Sequence, residues 1–207
     1  MSDAFISADQ FLFHLINGTF SNGVFDVLMP FLTDLNKTLY GKIIAGILWV
    51  LLVWKGGKKG RIVAAFLVPL IFLSDQISST LIKELVDRPR PCHTVDGVPV
   101  LQNIRLLVDC GSGFSFPSSH AVNNFAAASY FSYYYRRWTW AFVTFATFVA
   151  VSRVYVGVHY TSDIIGGGII GVACAVIIIG IIKILAKRYP LFQVSVSVDA
   201  EKPAKIE

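Results

Sequence analysis

Apolar residues come in long runs along this chain, with little strict alternation of apolar and polar positions. After a broken start, the runs cover about residues 38–54, 62–83, 119–135, 138–157 and 163–183. A helix that crosses a bilayer needs roughly 20 mostly apolar residues, fewer where long cationic side chains at its ends reach the interface. Five spanning helices are therefore predicted, the first of them weakest because Lys42 interrupts it. Residues 7–34 carry apolar positions at helical spacing but are cut by "NGTFSNG". That pattern fits two short amphipathic helices on the membrane surface better than another span. The polar tail, residues 191–207, is predicted to be flexible. The expected fold class is all-α, a polytopic membrane helical bundle with residues 1–190 as one domain.

Composition supports this and narrows the partners. The chain has 207 residues, 55% hydrophobic and 15% charged, too apolar for an ordinary soluble domain. Its first apolar cluster, "FLFHLINGTF", is interrupted by His14 and Asn17 and lacks a basic leader, so no signal peptide is expected. A net charge of +5 would suit nucleic acid, but the basic residues sit mostly in short loops between apolar runs. Membrane orientation explains them better, and no nucleic-acid partner is expected. Five spans put eleven Lys and Arg on one side, Lys55, Arg61, Arg136 and Lys187 among them, and seven on the other. The richer side, with the tail, is predicted to be cytoplasmic, in a cytoplasmic (inner) membrane. The 84–118 loop and the stretch around His159 then share the outer face.

Three separated segments carry candidate chemistry. In "KELVDRPRP", residues 83–91, Lys83 ends the second run, and Pro89 and Pro91 hold Arg90 on a bent, non-helical segment. In "FPSSHAVNNF", residues 116–125, Ser118 or Ser119 can cap the third helix, whose free N–H groups and dipole suit an anion. His120 lies in that first turn, and Asn124 falls on the same face, placed to orient it. In "SRVYVGVHYTSD", residues 152–163, Arg153 ends the fourth run. An unpaired charge at the bilayer centre costs about 2.5–3.5 kcal/mol, which a bound anion would offset. His159 and Asp163 are four apart, so the carboxylate can accept from one ring nitrogen and leave the other as an oriented nucleophile.

Other polar positions have structural readings. Cys92 and Cys110 flank the polar loop and can pair if it faces an oxidising compartment, while Cys174 lies in an apolar run. Asp75, Ser79 and Lys83 share one face of the second span and predict a polar network toward Asn123 or Asn124. Gly167 and Gly171 form a small-residue face, for packing within the chain or between copies, so oligomeric state stays open. His14 and His93 have no identifiable partners.

Lys83-x6-Arg90-Pro91, Pro117-Ser118-Ser119-His120 and Ser152-Arg153-x5-His159-x3-Asp163 together resemble the type 2 phosphatidic acid phosphatase family, or lipid phosphate phosphatases. Vanadium haloperoxidases share that three-part signature. The resemblance covers about residues 8–185, with one departure, Ser119, where the family more often has glycine. It implies an integral-membrane lipid phosphatase like the bacterial undecaprenyl-diphosphatases, needing no metal and no cofactor. His159 would attack phosphorus and become a phosphohistidine, and Asp163 would orient it. His120 would protonate the leaving oxygen and then activate water. Lys83, Arg90, Arg153, Ser118 and the backbone near Ser119 would hold the phosphate. Undecaprenyl diphosphate is the first-choice substrate. Phosphatidylglycerol phosphate, phosphatidic acid and lipid A 1-phosphate are alternatives, as is a phosphotransferase on the same scaffold.

Overall fold

A chain surrounded by hydrocarbon must satisfy its backbone N–H and C=O groups internally, so its apolar runs become helices. The computed structural model describes residues 3–194. It opens with α1 (Asp3–His14), a π-helical turn at Leu15–Thr19, and α2 (Gly23–Asp34). The Asn22 side chain starts α2 by accepting from the N–H groups of Val24 and Phe25. Next come α3 (Leu39–Lys55), capped by Thr38, and α4 (Gly57–Gln76). A π-helical turn at Ile77–Ile82 carries α4 into α5 (Lys83–Val86), which stops at Asp87 in a left-handed conformation, φ 49°. After a loop bearing a small hairpin of β1 (Thr94–Val95) and β2 (Val98–Pro99), α6 (Ser119–Tyr134), α7 (Thr139–Tyr155) and α8 (Thr161–Arg188) complete the bundle. The tail predicted over residues 191–207 falls, from residue 195 on, outside the described residues.

Among the described residues, Gly57–Val86 and Thr161–Arg188 are long and apolar enough to cross a membrane singly. The pair α2 and α3 meets the same criterion only together, with a 60° bend between them. The 16 residues of α6 and 17 of α7 give rods of about 25 Å, a little short of the ~30 Å hydrocarbon layer. The Arg136–Trp138 turn joins these two short helices.

The centre of the bundle is α6, wedged between α4, α7 and α8. Close approach to α8 needs Gly167 and Gly171. A Cβ on Gly171 would overlap the Val122 carbonyl, and one on Gly167 would sit 2.9 Å from Ala121 Cβ and the Ser118 carbonyl. The small face therefore serves packing inside the chain. One core cluster gathers around Leu70, Tyr130 and Ile178. Toward the other end, Phe13 packs with Ala150, Val154 and Tyr160, and Met29 with Tyr155 and Val158. So α1 and α2 do more than lie on a surface: Phe13 and Thr33 are fully buried, and these helices wall one end of the bundle.

The Asp75 network takes the predicted direction. Asn123 donates to Asp75 Oδ1 at 3.3 Å and accepts from Ser74 Oγ at 2.6 Å.

Candidate active site

The turn between α7 and α8 follows local rules. Gly157, at φ 89°, reverses the chain where a Cβ would strike the Arg105 carbonyl. Tyr160 then starts α8, and its N–H donates to Asp163 Oδ2 at 2.8 Å. The carboxylate of Asp163 is thereby folded back over its own helix start, toward His159 on the preceding turn. His159 Nδ1 stands 3.5 Å from Asp163 Oδ2, close enough for an ion pair but without a hydrogen bond.

Asp163 is wholly buried and richly held. Oδ2 also accepts from the Ser115 hydroxyl, and Oδ1 accepts from Arg88 Nη1 at 2.8 Å. His159 is 2% exposed. Burial pushes its imidazole down to about 4; Asp163 opposes that shift, and Arg153 and Arg90 add to it. A neutral, oriented imidazole among cations is the result.

Three cations face this ring or its partner. Arg153, in the last turn of α7, donates from Nη1 to Thr33 Oγ1 at 2.7 Å and leaves Nε without a partner. Arg90 donates from Nε to the Gly113 carbonyl at 2.7 Å and from Nη1 to the Cys110 carbonyl. A disulfide between Cys92 and Cys110, Cα atoms 6.1 Å apart, closes that loop. Lys83, leaving the π-helical turn, lies within electrostatic range of Arg90, Arg153, Asp75 and Asp163.

The start of α6 departs from expectation in three details. Ser118 occupies the N-cap position, but its hydroxyl makes no capping bond; Oγ is buried and unpartnered. Its N–H is already used, donating to the Asp163 carbonyl at 3.2 Å. Asn124 does not hold the His120 ring: its amide folds back onto the His120 carbonyl one turn earlier, at 2.9 Å. The ring is held from another helix, since His120 Nε2 donates to the Thr33 carbonyl at 3.1 Å. Ser119 turns its hydroxyl toward Ser79 Oγ, 3.1 Å away and itself bonded to Asp75. The extra hydroxyl at this position thus packs against α4's continuation.

Sequence reasoning passed over several residues. Arg88 binds Asp163 directly, Asp9 of α1 binds Arg88, and Ser115 binds Asp163. Thr33 holds both Arg153 and His120. His93, without identifiable partners in the sequence, sits 2.9 Å from the Gly111 carbonyl and accepts weakly from the Arg90 N–H. Arg88 alone carried a signal, a further cation inside the 83–91 segment; the others look like ordinary polar positions. Among the described residues, no group of three or more His, Cys, Asp or Glu is placed to hold a metal ion.

An apolar cleft of about 710 Å³ runs along α7 between Tyr155 and Val143, walled by Phe25 and Met29 of α2.

Comparison with known proteins gives four concordant likenesses. The sequence model of the family described as the PAP2 superfamily matches residues 63–186. The lipid A 4'-phosphatase of Bacteroides thetaiotaomicron is 31% identical over 163 residues, 73% of this chain and 69% of that protein. The undecaprenyl-diphosphatase BcrC of Bacillus subtilis is 26% identical over 162 residues, 78% of this chain and 77% of that one. In fold, the chain resembles the crystal structure of the transmembrane PAP2-type phosphatidylglycerolphosphate phosphatase from Bacillus subtilis. That match has a TM-score of 0.64 and 20% identity, covering 89% of each chain.

Proposed function

This chain belongs to the PAP2 superfamily, a family of membrane lipid phosphatases, and on that premise we propose that it hydrolyses undecaprenyl diphosphate at the outer membrane surface. The observation carrying the catalytic reading is a buried imidazole, His159, backed by Asp163 at 3.5 Å and facing Arg90 and Arg153.

In this reading His159 Nε2 attacks the terminal phosphorus in line while Asp163 faces Nδ1. The bond to the leaving oxygen breaks, and His120 gives that oxygen its proton. Undecaprenyl phosphate departs, and phosphate remains on His159. His120 then takes a proton from water, which attacks the phosphohistidine and frees inorganic phosphate. Lys83, Arg90 and Arg153 hold the non-bridging oxygens throughout, with Ser118 Oγ as a further donor. Fixed charges aimed at a reacting dianion suit a reaction whose uncatalysed form is among the slowest known. The apolar cleft between α2 and α7 is our candidate seat for the hydrocarbon tail.

We place residues 1–190 in one domain with five spans, in a cytoplasmic membrane, and the active site on the periplasmic or outer face, following the distribution of Lys and Arg. A phosphomonoester on lipid A is the second reading of the substrate, favoured by the 31% identical relative of that name. The test is inorganic phosphate release by detergent-purified protein from undecaprenyl diphosphate, lipid A, phosphatidylglycerol phosphate and phosphatidic acid, each with and without a lipid acceptor. Fastest release from undecaprenyl diphosphate, unchanged by acceptor, is expected. Faster release from lipid A moves the substrate to the second reading, loss of phosphate to the acceptor makes the protein a transferase, and release from none of the four rejects the function.

A further inference from the structure

Asp9 is an odd residue for an amphipathic helix. It belongs to α1, yet it is 4% exposed. Its Oδ1 accepts from the Ser162 N–H at 2.8 Å. Its Oδ2 accepts from the Ser162 hydroxyl and from Arg88 Nη2, the latter at 2.7 Å. A buried carboxylate is expensive unless charge and hydrogen bonds compensate it, and here every contact leads to one guanidinium and one helix start. Arg88 completes the chain. From Nη1 it donates to Asp163 Oδ1 at 2.8 Å and to Ser162 Oγ at 2.7 Å, and its guanidinium lies 3.9 Å from the centre of the Tyr160 ring.

The charges around Arg88 do not cancel. One guanidinium serves two carboxylates, Asp9 on one edge and Asp163 on the other. Asp163 is already fixed in space by the Tyr160 N–H and the Ser115 hydroxyl. What Arg88 adds is positive charge on the side of Asp163 away from His159, and what Asp9 does is dilute that charge.

We propose that Arg88 and Asp9 are positioning residues for the reaction, together holding Asp163 and setting how much of its negative charge His159 feels. This rests on the reading of His159 as nucleophile, and it explains why an interfacial helix is locked onto the start of α8. The groups facing His159 are Asp163 from α8, Arg153 from α7, Arg90 from the loop and His120 from α6. Asp163 is faced in turn by Arg88 and, at longer range, by Lys83 and Arg90.

Opposite signs follow for the two partners. Without Arg88, Asp163 presents its full charge, the protonated form of His159 gains, and the acid limb of activity moves up in pH. With Asp9 neutralised, Arg88 draws more charge from Asp163, protonated His159 loses, and the limb moves down. The experiment measures pH profiles of kcat/KM for wild type, Arg88→Gln, Asp9→Asn and the double variant. The substrate is the most rapidly hydrolysed lipid of the four-member panel, and phosphoenzyme is trapped by rapid quenching at alkaline pH.

Expected are an upward shift of about half a pH unit for Arg88→Gln, with a loss in rate of roughly 100-fold, a downward shift for Asp9→Asn, and near-cancellation of the shifts in the double variant. The near-isosteric Asp9→Asn carries the test by itself if Arg88→Gln does not fold. Limbs that stay in place, or that move the same way, overturn the inference while phosphoenzyme still forms. Wild-type protein that forms no acid-labile, alkali-stable phosphoenzyme overturns the nucleophile reading, and the inference with it.

Discussion

Arg153 and Thr33, 120 positions apart in sequence, meet through a hydrogen bond of 2.7 Å from guanidinium Nη1 to threonine Oγ1. The carbonyl of the same threonine receives His120 Nε2. One residue of α2 therefore holds two of the groups to which we assign phosphate chemistry, one from α6 and one from α7. In the proposed mechanism this makes α2 part of the site.

Replacing Thr33 by valine removes the hydroxyl and keeps the shape, leaving a buried guanidinium N–H without its partner. Hydrogen bonds to charged groups contribute about 1.5–3 kcal/mol, so thermal stability falls by up to that amount. Orthovanadate, a mimic of five-coordinate phosphorus, offers oxygens to the same N–H. It should raise the unfolding midpoint of Thr33→Val by more than that of wild type. Equal gains would remove Arg153 Nη1 from the oxyanion's partners.

The acid limb of activity follows from His159, whose imidazole is pushed from 6.5 down to about 4, chiefly by burial. In the proposed mechanism the neutral form is the nucleophile, so protonation should inactivate it. A profile of kcat/KM, corrected for the substrate's own second ionisation near about 6, should stay flat below pH 6 and fall only as pH approaches about 4. Stability has the same sign. Between 6.5 and about 4 the unfolded chain gains a proton on this residue that the folded chain does not, so the fold weakens as pH drops through that window. An inactivating group with a midpoint near 6.5 would show that His159 is solvated.

The helices and the three-part constellation were legible because their determinants are local. Apolar runs announce helices, and Lys83 to Arg90 or Arg153 to Asp163 are read within a dozen positions. Arg88, Asp9 and Thr33 were not legible as site residues, because their partners lie 75 to 153 positions away on other elements. Asp9 reads as the polar face of an amphipathic helix until α8 arrives to bury it. Asn124 misled for the opposite reason: same-face spacing on a helix brings side chains near, yet its amide found its own backbone four residues back.

Close packing of α6 on α8 gives a paired test with an internal control. A methyl on Gly171 would overlap the Val122 carbonyl and crowd the Ala126 N–H at 2.8 Å, whereas Gly180 on the same helix has nothing within 4 Å. Gly171→Ala should cost about 1–3 kcal/mol as overpacking, and Gly180→Ala should be nearly silent. Thermal unfolding of the two variants in the same detergent decides it. Similar midpoints would mean that α6 and α8 can separate without penalty.

In the proposed mechanism the disulfide acts on catalysis through Arg90. The Cys110 carbonyl accepts from Arg90 Nη1 and the Gly113 carbonyl from Nε, so the bridge fixes the loop that aims this guanidinium. With the cysteines 18 positions apart, removing the bridge costs up to about 3 kcal/mol in the chain-entropy account. A less restrained Arg90 should also lower kcat/KM, by about tenfold. A double-mutant cycle separates this from general loosening. If the bridge acts by holding Arg90, then Cys92→Ser with Cys110→Ser lowers activity in the wild-type background but adds little once Arg90→Ala is present. Losses that simply multiply would mean that the bridge supports the site by some route other than this arginine.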